Sequence, residues 1–189
     1  MGNLLLQLNK YDLTQPEKKQ GVCDHCGIDT VGHEKYYNDK HCCNLCFYTQ
    51  NIDLLFTPNK GKIILCYEIS QQEIFDIQRI YWKLKDTVVS DDIEHNEIID
   101  TFEIVYKELE RRSLQTDKLF SKGASDVDYF IEYLSKGNTN IDKNIGYLRW
   151  LPDRSFFESD IAYWNKTIFK DILPSNFETH LSKINKGEV

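Results

Sequence analysis

The sequence predicts an α+β fold, in which a small cysteine-organised N-terminal part with a few short strands packs on a mainly helical C-terminal part. Three observations carry that prediction. Cys23-Asp24-His25-Cys26 and Cys43-Asn44-Leu45-Cys46 are two C-x-x-C pairs flanking residues 27–42. Lys62-Ile63-Ile64-Leu65-Cys66-Tyr67 is a short apolar run behind turn residues and reads as a buried strand. From Ser70 onward, apolar residues recur at helical spacing behind recognisable capping residues.

A two-residue gap lets both thiolates of a C-x-x-C pair turn towards one point. A second pair closes a tetrahedron around Zn²⁺, with Zn–S bonds of about 2.3 Å. Gly27, directly after the first pair, suits a turn that needs a positive φ. The predicted ligands are therefore Cys23, Cys26, Cys43 and Cys46. Cys42-x-x-x-Cys46 is an allowed competing register; the two-residue spacing favours Cys43 and leaves Cys42 as a small buried thiol. His25 and His41 read as neighbours of the site and not as ligands. Four thiolates leave no open position for water, so one structural zinc is expected, holding a loop-rich segment with too few apolar residues to fold alone. The same donor set also suits iron.

The 189 residues can bury one core, or one core with a small metal-held satellite. Three Trp, eleven Tyr and ten Phe fit an ordered globular chain, and only four Pro and nine Gly interrupt it. The net charge of −7, from 23 basic and 30 acidic residues, disfavours non-specific adhesion to DNA or anionic lipid. The basic residues are dispersed, which points to protein partners and not to nucleic acid. Met1 to Leu8 shows no basic n-region, no long apolar run and no cleavage site. No stretch approaches the ~20 apolar residues of a membrane span, and Met1-Gly2 lacks the Ser or Thr at position 6 that myristoylation favours, where Leu6 stands. The expectation is a cytoplasmic chain without direct membrane insertion, in which paired cysteines favour zinc over disulfides.

Taken in order, Leu4, Leu6 and Leu8 alternate and suggest a strand within residues 3–13, followed by a polar loop over 14–20. Residues 27–42 are loop-like, with Tyr36 and Tyr37 placed to cover a metal or to pair in a hairpin. A helix carries the second cysteine pair and runs towards Phe56, ended by Thr57-Pro58-Asn59-Lys60-Gly61. Everything after Ser70 reads as helical. Ser70-Gln71-Gln72-Glu73 is a capping box, and Ile74, Ile77, Ile80, Tyr81 and Leu84 form the face behind it. A linker at 88–92 precedes a long helix with Ile98, Phe102, Val105, Tyr106 and Leu109 inward and Arg111-Arg112 near its end. Gly123 separates it from a helix capped by Ser125 and carrying Phe130, Ile131, Tyr133 and Leu134. Ser155-Phe156-Phe157-Glu158 reads as a second capping box, opening a helix with Ile161, Trp164, Ile168, Phe169 and Ile172 on one side and Pro174 at its end. The two parts divide at 1–69 and 70–189 and are expected to form one composite domain.

Catalytic signatures are weak. His33, Asn38 and His41 stand in H-N-H order, but lie too close together for a hairpin and helix to carry them in nuclease roles, and Gly32 takes the place of the usual acidic residue. There is no P-loop, G-x-S-x-G or H-E-x-x-H. Cys66 reads as an inert core thiol, Asp91, Asp92, Glu94 and His95 as a solvated linker able to attract a cation, and Arg149-Trp150 and Arg154 as rim residues able to meet a partner. No enzymatic activity is expected. The alternative reading is an HNH-type zinc-knuckle nuclease or a nucleic-acid-binding protein.

Three blocks of the chain resemble the IcmJ/DotN family, a cytoplasmic component of type IVB (Dot/Icm) secretion systems. They are Cys23-x-x-Cys26-Gly27 with Cys42-Cys43-Asn44-Leu45-Cys46-Phe47-Tyr48; the strand and capped helix from Gly61 to Ile74; and Asn144-Ile145-Gly146-Tyr147-Leu148-Arg149-Trp150-Leu151-Pro152. Together they span roughly residues 20–170. The resemblance implies an HNH-like, treble-clef-like zinc fold without nuclease activity, although the loop between the knuckles is shorter here than in the family. It also implies a place in the coupling complex, with binding to the C-terminal tail of the inner-membrane coupling ATPase and to other subunits, and a part in effector delivery.

Overall fold

Asn38 and Asp39 adopt left-handed φ values of 49° and 61°. Two such residues in succession form the tight turn whose twist matches a β-hairpin, and they join β1 (Lys35–Tyr37) to β2 (Lys40–Cys42), with Tyr36 opposite His41. The expected loop between the cysteine pairs is thus partly a hairpin. In this computed structural model the described residues are 21–30, 35–87, 93–136 and 144–172, without the side chains of 93–95. The strand expected within 3–13, the loop over 14–20, Gly2, Gly32, His33, the linker at 88–92, Pro174 and the C-terminal tail lie outside them, as do the side chains of Glu94 and His95.

Helix α1 (Asn44–Gln50) starts directly at the second cysteine pair, with Cys43 as its N-cap. A 3-10 turn over Ile52–Leu54 follows, then β3 (Lys62–Leu65). Helix α2 (Gln71–Asp86) opens with the expected capping box, Ser70 Oγ accepting from the Glu73 amide and the Glu73 carboxylate accepting from the Ser70 amide. Removing that cap by Ser70→Ala should destabilise the protein by about 1 kcal/mol. For a chain of this length the melting temperature should fall by roughly 2–4 °C in a thermal scan.

The apolar stripe read from α2 is only half of its buried surface. Ile74 and Leu84 are buried as expected, but so are Phe75, Gln78, Arg79 and Trp82. These four follow i, i+3, i+4, i+7 spacing and form a second face, so α2 is enclosed on two sides. Helix α3 (Ile93–Arg111) buries Leu109 and stacks Tyr106 on Tyr81 at 5.1 Å, whereas Val105 is 39% exposed, contrary to its expected inward position. The long helix ends at Arg111, with Arg111-Arg112 near its end as expected, but a further helix stands between it and Gly123. At Arg112 the chain shifts into a short α4 (Ser113–Leu119), which packs against β3 and buries Thr116. Helix α5 (Val127–Ser135) is capped by Asp126 and not by Ser125. Ser125 is engaged elsewhere: its amide donates to Asp117 (2.7 Å) and its carbonyl accepts from Ile63 (2.8 Å).

The largest correction concerns residues 148–151. They are a strand, β4 (Leu148–Leu151), antiparallel to β3 with Lys62 opposite Leu151 and Leu65 opposite Leu148. The sheet is buried on both faces. Ile63, Leu65, Leu148 and Trp150 face the larger core, which also holds Phe75, Phe130, Phe157, Trp164 and the four predicted ligand cysteines. Ile64, Cys66 and Leu151 face a smaller core with Ile74 and Leu109. The outer edge of β4 is occupied by side chains. The Gln71 amide brackets Trp150, donating to its carbonyl and accepting from its N–H, each at 2.7 Å. Arg149 donates to the Leu148 carbonyl (2.8 Å) and Gln78 to that of Pro152 (3.0 Å). At the other edge, Ser125 and Asp126 pair with β3. Gly61, at φ 90°, permits the close approach of the strands, since a Cβ there would lie 2.1 Å from the Leu151 carbonyl oxygen.

The chain closes through a 3-10 turn at Arg154–Phe157 and α6 (Glu158–Lys166). The expected capping box at Ser155 does not form. Asp153 caps the turn by accepting from the Ser155 amide at 2.9 Å, and the Ser155 hydroxyl also donates to Asp153. Ile161 and Trp164 are buried as expected, but the helix stops at Lys166 and leaves Ile168 at the surface. No helix among the described residues is long and apolar enough to cross a membrane.

Candidate metal centre

Cys23 begins a tight loop closed by two backbone bonds, from Gly27 to Cys23 and from Cys23 to Ile28, both 2.8 Å. Gly27 takes φ 72°, which turns the chain back after Cys26. The loop is fastened to the hairpin through Asp24, whose amide donates to the His41 carbonyl (2.8 Å) and whose carboxylate accepts from the His41 amide (2.7 Å). Tyr163 of α6 holds it from the other side by donating to Asp29 at 3.0 Å. The second pair is rigid for a different reason. Cys43 caps α1, its Sγ accepting from the Cys46 amide at 3.5 Å, and Cys46 lies in the first turn of the same helix.

These elements bring Cys23, Cys26, Cys43 and Cys46 together, with the four Sγ atoms within 4.8 Å of one another. Tetrahedral Zn–S bonds of about 2.3 Å require sulfur atoms about 3.8 Å apart. The Cys26 and Cys43 sulfurs, 3.7 Å apart, meet that requirement. Three of the four cysteines are buried and Cys26 is partly so. The four residues fit a single metal ion.

The electrostatics follow from crowding four thiols. The Cys23 thiol is drawn well below its ordinary value by S–H donation, first from Cys26 and then from Cys43 and Cys46. Cys26 feels an upward pull from Cys23, but Cys43, Cys46 and the Arg79 charge bring it to about 7. Cys43 and Cys46 are raised, chiefly by their interaction with Cys23 and then Cys26. A dication held by all four sulfurs would replace this sharing of protons, because ligation requires thiolates.

Cys42 stands apart from the cluster. It is fully buried at the end of β2, its thiol directed at the Lys40 carbonyl (3.5 Å) and pushed up to about 12 by burial and then by the charge of Cys23. The competing register is therefore not the one the fold assembles. His25 is exposed and outside the sulfur cluster. His41 is buried, Nδ1 donating to the Val22 carbonyl (3.1 Å) and Nε2 lying 3.2 Å from the Thr30 hydroxyl. It locks the hairpin to the first knuckle. Asn38 sits in the hairpin turn.

Arg79 is the residue that the sequence reading passed over. Its guanidinium, from the second face of α2, donates through Nη2 to Cys26 (3.4 Å) and Cys43 (3.6 Å), and through Nη1 to Asp76 (3.1 Å). The signal was present in Phe75, Gln78, Arg79 and Trp82, a helical stripe with two polar members. Asn44 was also missed. Its side-chain amide donates to both carboxylate oxygens of buried Asp160 at 2.9 Å, tying α1 to α6.

The remaining candidates lie away from the sulfurs. Cys66 is buried in the smaller core and accepts from Arg112 at 3.1 Å, while Arg112 also pairs with Glu68. Arg149 is engaged with the carbonyls of Ile69, Gly146 and Leu148, and Trp150 is 0% exposed. Arg154 pairs with Asp86. In comparisons with known proteins, no family model and no curated protein matches the chain.

Proposed function

We propose that this chain is a non-enzymatic structural-zinc protein. It acts as a scaffold subunit of a type IVB secretion coupling complex, binding the cytoplasmic C-terminal tail of the coupling ATPase and helping to deliver effectors. The observation that carries the reading is the donor set: four mutually adjacent cysteine sulfurs, mostly buried, with a guanidinium against two of them. Four thiolates complete a tetrahedral shell, leaving no position for a water or substrate and giving little Lewis acidity. The succession of knuckle, hairpin and helix supports an HNH-like, treble-clef-like N-terminal part. The three resembling blocks supply the partner, and the excess of acidic over basic residues favours a protein over a nucleic acid.

A chain of this kind works in the cytoplasm and reaches the inner membrane through its partner. The nuclease reading requires a histidine free to act as a base, and the buried, hydrogen-bonded His41 argues against that role. Titration of the full chain with the tail of its own system's coupling ATPase, beside a DNA duplex, tests the proposal. Saturable binding of the tail at micromolar concentration or below, with none to DNA, is the expected result. DNA binding without tail binding would overturn it.

A further inference from the structure

We propose that Arg79 is an outer-sphere member of the metal centre, a positioning residue whose guanidinium joins the two C-x-x-C pairs and keeps the bound ion from leaving. The inference rests on reading the four cysteines as a metal site and goes beyond it, since nothing in that reading requires a residue from α2. Nη2 contacts one sulfur from each pair, Cys26 at 3.4 Å and Cys43 at 3.6 Å. Arg79 is only 4% exposed. Its central carbon lies over the Trp164 ring, 5.1 Å from the centroid, and over that of Phe75 at 5.9 Å. Among the described residues its Nε has no acceptor, and its hydrogen bonds run through Nη1 to Asp76 and Nη2 to the two sulfurs.

Charge explains why such a residue belongs here. Four thiolates around a dication carry a formal charge of −2 into a core lined by Trp164, Phe75 and Leu45. A buried negative centre is costly unless it is paired and hydrogen-bonded. Arg79 supplies a positive charge that is never lost at working pH, together with N–H···S bonds that draw electron density from two ligands. Those bonds lower the basicity and nucleophilicity of Cys26 and Cys43, and so resist protonation, oxidation and alkylation of the bound sulfurs. Asp76, half exposed and partly screened by water, orients the guanidinium without cancelling it. Lysine cannot reproduce this, because its compact ammonium lacks the fixed planar fork that sets one nitrogen on the sulfurs and the other on Asp76.

The test uses the full chain with Co²⁺ and Zn²⁺ as probes. Arg79→Met keeps the apolar stem, and Arg79→Lys keeps the charge should the methionine variant fail to fold. Both variants are expected to bind one Co²⁺ with the absorption of a four-sulfur tetrahedral site. Their affinity in competition with a chromophoric chelator should fall about 10–100-fold. Zinc release on treatment with an aromatic disulfide reagent should accelerate correspondingly, and more in Arg79→Met than in Arg79→Lys. Ser70→Ala, which loosens the same helix without touching the sulfurs, separates a positioning role from simple destabilisation: it should lower the melting temperature and leave affinity and release unchanged. Wild-type affinity and release rate in both Arg79 variants would overturn the proposal while the metal reading stands. A wild-type chain that binds no Co²⁺ would overturn the metal reading and this inference with it.

Discussion

Cys46→Ser is expected to abolish stoichiometric metal binding and to unfold the N-terminal part, and stripping the wild-type chain with a strong chelator should do the same. Apparent binding free energies of structural zinc are on the order of 10 kcal/mol, comparable with the whole stability of an ordinary domain at about 5–15 kcal/mol. The cysteines lie in the larger core with Phe157 and Trp164, so the damage should spread beyond the knuckle into the α2–α6 contact. Cys42→Ala provides the contrast. Its thiol is equally buried but outside the sulfur cluster, so its loss should cost about 1 kcal/mol and leave metal content intact. Metal analysis and thermal melts on the two variants decide the matter. A Cys46→Ser protein with one ion per chain and an unchanged melt would refute the assigned ligand set.

Trp150→Ala should be the most damaging substitution outside the centre. The ring is fully buried, edge-on to Phe75 at 6.5 Å and to Phe157 at 6.1 Å, and its Nε1 donates to the Lys60 carbonyl at 2.6 Å. Removing a large aromatic side chain from a core costs about 3–5 kcal/mol. The Lys60 carbonyl, left without that donor, adds about 1 kcal/mol or more. Urea denaturation should show the midpoint falling with little change in slope. A loss below about 1 kcal/mol would mean that the ring does not organise the core as described.

The sequence displayed the local features and hid the non-local ones. The cysteine spacing, the Gly27 turn, the Ser70–Glu73 box and β3 depend on residues close in the chain, and each is formed as read. Strand β4 was invisible because its partner lies more than eighty positions away and its four residues include Arg149, which breaks the apolar run. The apolar positions of α2 do not by themselves point to Arg79, which lies on its second buried face. A charged residue on a buried face has meaning only once its counter-charges, contributed by both cysteine pairs, are seen beside it. The helix start at residue 127 turned on a choice between Ser125 and Asp126. Tertiary bonds to Ile63 and Asp117 decided it, and no capping preference could have.

The bracket that Gln71 forms around Trp150 bears on how this protein can meet others. A two-stranded sheet normally offers bare edges on which a second chain can lay down another strand, the usual route to runaway self-association. Here one side-chain amide imitates a neighbouring strand at Trp150, Arg149 and Gln78 occupy the flanking carbonyls, and Pro152 has no N–H to offer. An extended peptide therefore finds no template along β4. Gln71→Ala would reopen that edge and leave an adhesive strand beside the core.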